Sequence, residues 1–177
     1  METRITIDNS IVSSHRLYNT PCPDKSKEGG SKCGKKLNDI SERDYKKRCF
    51  DDDILCLDID SYEASLGKQQ KEPTMDAAIG VLKGKNTPTL MLVELRMDYK
   101  SPTGLKASKL IDKLRYTKLL LGNDPEINPA SYFVYNDKFY ELYRSQLENI
   151  LQEHKAISKA QAISVRLFNE RFKVAMK

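Results

Sequence analysis

Apolar residues along the chain fall into short alternating runs broken by polar turns, with longer stretches at helical spacing. The most informative run is Met75–Met97 (MDAAIGVLKGKNTPTLMLVELRM). It reads as two strands, Ala77–Leu82 and Thr89–Met97, joined by the turn residues Lys83–Pro88. Side chains alternate along a strand, so Glu94 and Arg96 share a face with Leu90 and Leu92, while Met91, Val93, Leu95 and Met97 take the other. A turn centred on Lys85 sets Asp76 directly opposite Glu94. Two carboxylates side by side, with a guanidinium one step along, are unfavourable unless a cation or a protonation shift resolves them.

Around this hairpin the pattern predicts further elements. Arg4–Val12 alternates as a short strand, and Asn19–Lys36 is a loop by composition, rich in Pro, Gly, Ser and Lys. Leu37–Phe50 holds a short helix, with Ser41 and Asp44 spaced as in a capping box. Asp51–Asp60 reads as a half-buried strand, after which Ser61 caps a brief helical turn carrying Tyr62, Glu63 and Leu66. Asp58, Asp60 and Glu63 are each placed to bring a third carboxylate to the hairpin, or to remain solvated surface acids.

Beyond the hairpin, Leu105–Leu121 is a helix with Leu110, Ile111, Leu114 and Leu121 in its core stripe. Lys106, Lys109 and Lys113 lie on a separate face, aimed at the carboxylates, at a phosphate backbone or at solvent. Ser131–Asn136 is a strand, Asp137 caps a long helix over Lys138–Lys155, and Ser158 begins a final helix containing Ala162, Ile163, Leu167, Phe168 and Phe172. The order from residue 75 is strand, strand, helix, strand, helix, helix. This suggests an α/β fold with a mixed central sheet and a core hairpin flanked by helices. Three segments follow: a loop-rich N-terminal stretch with the cysteines over 1–52, an α/β core over 53–136, and C-terminal helices packed on it over 137–177.

Composition changes this picture only modestly. The charged content of 31% and net charge of +5 suit a polar-surfaced globular chain that permits an acidic partner such as nucleic acid without requiring one. No run approaches a transmembrane helix, and METRITIDNS lacks the make-up of a signal peptide, so the expectation is a cytoplasmic protein without a membrane partner. Cys22, Cys33, Cys49 and Cys56 lack close CxxC pairing, so a zinc site, even with His15, is disfavoured by spacing, and disulfides are not expected in a reducing compartment. His15 and His154 are the only histidines, and there is no P-loop, GxGxxG or GxSxG turn; nucleotide-cradling and His-triad chemistry find no support.

Asp76 at the mouth of one strand, then Glu94-Leu95-Arg96 after seventeen intervening residues, then a helix and a further strand, resembles the PD-(D/E)xK nuclease superfamily with its restriction-endonuclease-like fold. The resemblance covers roughly Asp53–Asn136. It implies a divalent-metal-dependent nuclease cleaving DNA or RNA, in defence against foreign nucleic acid among other settings. Asp76, Glu94 and the Leu95 carbonyl would hold Mg²⁺ or Mn²⁺, with Glu63 as a helix-borne acid. Hard cations of this kind take carboxylates and leave positions open for phosphate oxygens. Arg96 departs from the usual lysine: a guanidinium holds phosphate but cannot act as a base. Either Lys106, Lys109 or Lys100 takes that role, or the chain is a catalytically silent interaction module, an inhibitor or complex subunit, in which Arg96 pairs with the acids. Lys100, Lys106, Lys109 and Lys113 are the expected nucleic-acid contacts, a homodimer and a protein partner stay open, and a zinc-stabilised adaptor ranks third.

Overall fold

The computed structural model describes residues 5–22, 31–84, 86–154 and 159–175. Among them, eight strands and six α-helices build an open α/β fold around one mixed sheet. The strands are β1 (Ile5–Ile7), β2 (Gly34–Lys36), β3 (Leu55–Asp58), β4 (Ala77–Lys83), β5 (Thr87–Arg96), β6 (Glu126–Tyr135), β7 (Ala160–Ser164) and β8 (Phe172–Val174). The helices are α1 (Asn9–Ser13), α2 (Leu37–Tyr45), α3 (Ile59–Ser65), α4 (Ala107–Leu121), α5 (Asp137–Gln152) and α6 (Val165–Arg171). The main sheet order is β2-β3-β4-β5-β6-β7, with β1 set between β4 and β8.

β3, β4 and β5 run as an antiparallel meander; α4 then carries the chain over so that β6 lies parallel to β5, and β7 parallel to β6. The hairpin closes through three residues, with Gly84 (φ 59°) and Asn86 (φ 86°) in left-handed backbone, the residue types that adopt it at least cost. Alternation along β5 divides the core as its pattern requires. Leu90 and Leu92 pack with Leu110 and Leu114 of α4 and Phe139 of α5, while Met91, Val93 and Leu95 pack with Leu37 and Ile40 of α2 and Phe168 of α6. Helices therefore cover both faces. At Gly80 on β4 a Cβ would meet the Asp8 carbonyl oxygen at 2.5 Å and Ile11 Cβ at 2.6 Å, so only glycine lets α1 lie on the strand.

Three expectations need correction. The final helix from Ser158 is replaced by β7, α6 and β8, with Ser158 itself outside the described residues. In β7, Ala162 faces one core cluster and Ile163 the other, because pairing with Ser131–Tyr135 of β6 outweighs a helical spacing of apolar residues. The N-terminal stretch, expected to be loop-rich apart from a strand over Arg4–Val12 and a short helix within Leu37–Phe50, has its strand cut to β1 with α1 after it and adds β2 to the sheet beside α2. Finally, Cys22 and Cys33 are joined by a disulfide, where only thiols were expected. The Pro21–Lys32 bridge draws the two backbones together, leaving their Cα atoms 5.4 Å apart, within ordinary disulfide reach. Cys56 is a buried thiol on β3 and Cys49 a half-buried one.

Candidate functional site

β4 and β5 pair from Ala77↔Val93 to Lys83↔Thr87, and one further step of that register sets Asp76 across from Glu94. There the strands part. The Met75 N–H donates to Thr117 Oγ1 of α4 at 2.8 Å, so the chain entering β4 leans on that helix instead of on β5. Leu95 consequently faces side-chain partners where a strand would have been. Its N–H donates to Asp76 Oδ2 at 2.7 Å, and its carbonyl accepts from the Tyr45 hydroxyl, at the C-terminal end of α2, at 2.6 Å. Satisfying both groups keeps this splayed end ordered, since an unpaired buried peptide group is costly.

Glu94 is only 1% exposed. Two cations meet its Oε1: an Arg96 guanidinium nitrogen at 2.5 Å and Lys113 Nζ at 2.6 Å. Its Oε2 is buried with no hydrogen-bond partner among the described residues. Burial, followed by the nearby charge of Glu94, pushes the Asp76 carboxyl up to about 8, against the opposing pull of Lys113 and the Leu95 N–H. Asp76 therefore holds a proton near neutral pH unless a further positive charge arrives. Burial, with the charge of Asp76 behind it, likewise drives the Tyr45 hydroxyl well above its ordinary range, so it remains a proton donor. Arg96 also donates to the Tyr99 hydroxyl at 3.0 Å and lies over that ring at 5.2 Å from its centroid.

The structure unites Asp76, Glu94, the Leu95 backbone and Arg96 in one place. Glu63 is not brought to them: it is buried, with its carboxylate held by Lys68 at 3.2 Å and by the Glu72 N–H at 3.0 Å. Asp58 is held by Lys35 and Arg43, while Asp60 lies near enough to raise the Asp76 carboxyl further. Lys106, expected as a catalytic substitute, is exposed at the N-cap of α4, and Lys100 and Lys109 are also exposed. The lysine that reaches Glu94 is Lys113, seven residues beyond Lys106 and on the same helix face. Tyr45, expected only as an apolar residue of the helix within Leu37–Phe50, and Tyr99, just beyond β5, were not expected at the site.

Among the described residues no three His, Cys, Asp or Glu side chains converge as a metal-binding group. A hard divalent cation does not need three, because it completes its shell with water and substrate oxygens. The donor set fits such an ion through the unpartnered Glu94 Oε2, the adjacent Asp76 carboxyl and the Leu95 carbonyl. Among the described residues no helix is long and apolar enough to cross a membrane. No protein-family model, curated protein or solved structure matches the chain.

Proposed function

We propose that the chain is a divalent-metal-dependent nuclease built on a restriction-endonuclease-like core of the PD-(D/E)xK type. The observation that carries this reading is a buried Glu94 oxygen without a partner among the described residues, beside an Asp76 carboxyl that burial keeps protonated, at the point where two paired strands part. Buried acids so placed are unfavourable for stability alone and favourable for a cation. The meander β3-β4-β5, the crossover α4 and the parallel β6 support it, because the family's acids stand at the same points of that order.

Asp76, Glu94 and the Leu95 carbonyl would hold Mg²⁺ or Mn²⁺, which when bound polarises a phosphodiester and lowers the pKa of a coordinated water. The protein's own groups do the rest. Arg96, fixed by Tyr99, offers a permanent positive charge for a phosphate oxygen. Lys113 brings the amine that Arg96 cannot replace, since an ammonium can yield its proton and a guanidinium cannot. Lys109 and Lys106, one and two turns back on α4, and Lys100 extend positive charge outward along the path a nucleic-acid backbone would follow. The test is cleavage of plasmid and single-stranded DNA and RNA by the full chain with Mg²⁺ or Mn²⁺. Activity lost with chelator and in Asp76→Asn supports the reading; absence of cleavage on every substrate contradicts it.

One observation favours a second reading, a catalytically silent interaction module. Arg96 already neutralises Glu94 at 2.5 Å, as a purely internal ion pair would. That reading predicts no metal dependence, and the same assay separates the two. A cytoplasmic setting belongs to either proposal, with the Cys22–Cys33 disulfide as the feature that argues against a reducing compartment.

A further inference from the structure

We propose that Lys113 is a tethered competitor for the divalent cation, so that the cation and the Lys113 ammonium exclude one another at Glu94. The inference rests on the metal-dependent reading above and adds to it an order of events.

Two positive groups converge on one oxygen, Glu94 Oε1, while Oε2 of the same carboxylate has no partner among the described residues. Such crowding is poor use of a carboxylate for a structural ion pair, whose best form spreads donors over both oxygens. It is the arrangement expected where one of the two cations is temporary. Arg96 cannot easily be that one. It sits two residues from Glu94 on the same strand, and its guanidinium is also bonded to the Tyr99 hydroxyl and lies over that ring. Lys113 reaches in from α4 on a flexible four-carbon stem, and its side chain is 20% exposed, so the ammonium can swing to solvent without disturbing the backbone.

A third proton donor acts in the same sense. The Tyr45 hydroxyl bonds the Leu95 carbonyl, the remaining oxygen suited to a hard cation. Lys113 and Arg96 crowd the same carboxylate whose Oε2 would take the cation, and Tyr45 already bonds the Leu95 carbonyl, so an arriving dication meets the repulsion of the Lys113 ammonium across one carboxylate. Arrival of the ion displaces the Lys113 ammonium, which then stands at the mouth of the site, one helical turn from the exposed Lys109. There it is available to a phosphate. The loaded site thus gains a phosphate ligand that the metal-free site keeps folded inward, and nucleic acid binds more tightly after the cation than before it.

The test titrates Mn²⁺ alone, by calorimetry, into the full wild-type chain and into Lys113→Met. A parallel arm measures acetylation of individual lysines in the wild type by mass spectrometry, with and without saturating Mg²⁺. The expected result is about tenfold tighter Mn²⁺ binding by Lys113→Met, with a severalfold rise in Lys113 acetylation on adding Mg²⁺ and little change at Lys109. Equal or weaker binding by a folded Lys113→Met overturns the proposal, as does unchanged Lys113 reactivity at saturation. If circular dichroism shows Lys113→Met unfolded, the acetylation arm decides. No binding by either protein instead removes the metal reading on which the proposal stands.

Discussion

Replacing Asp76 by Asn tests the electrostatics of the site without any assumption about substrate. The carboxyl is raised from 3.8 to about 8 in the folded chain, so between those pH values the native state holds a proton that the unfolded state has released. Stability must then fall as pH rises through that window and level off above it. The rise from 3.8 to about 8 sets a ceiling of roughly 6 kcal/mol, at 1.36 kcal/mol for each tenfold change in proton affinity. Water entry and readjustment of Lys113 make the observed effect smaller than this ceiling. Asn keeps an acceptor for the Leu95 N–H and carries no charge, so it escapes the penalty. Urea unfolding of both proteins at pH 4, 7 and 9 reads the difference. Asp76→Asn should match the wild type near pH 4 and exceed it increasingly up to pH 8, with saturating Mg²⁺ shrinking the gap. A pH-independent difference, or a wild type more stable at pH 9, would refute the reasoning.

Two other outcomes follow from the fold. Gly80→Ala places a methyl 2.5 Å from the Asp8 carbonyl oxygen and should cost about 1–3 kcal/mol, read as a lower urea midpoint with an unchanged slope. Cys22→Ser, or reduction of the wild type, opens a loop whose ends are 11 residues apart in sequence, with an expected loss of about 3 kcal/mol in the same assay; identical melts with and without reductant would show that the bridge does not form in solution.

The hairpin was legible because its pattern is over-determined. A turn-rich KGKNTP between two apolar runs admits one register that buries both faces, and that register sets Asp76 against Glu94. The same alternation put Glu94 and Arg96 on one face. Less local features were hidden. Lys106, Lys109 and Lys113 share a helix face, and which of them meets Glu94 depends on how far α4 slides along β5, a distance anchored in part by the Thr117 contact to Met75. Ala160–Ser164 has apolar positions compatible with strand or helix, and only the neighbouring edge of β6 selects the strand. Glu63 looked like a third acid because spacing reveals nothing about Lys68, just past the C-terminus of α3, folding back over it. The Cys22–Cys33 pair follows no recognised spacing and depends on a bridge between backbones.

The central claim is that Glu94 is a cation ligand and not half of an internal ion pair, and calorimetric titration of Mg²⁺ into the wild type and Glu94→Gln addresses it directly. Saturable binding in the wild type, abolished in a folded Glu94→Gln, is the result predicted by the unpartnered Oε2. Absent binding in the wild type, or equal binding in both, would contradict it and leave the Arg96–Glu94 pair as the structural end in itself.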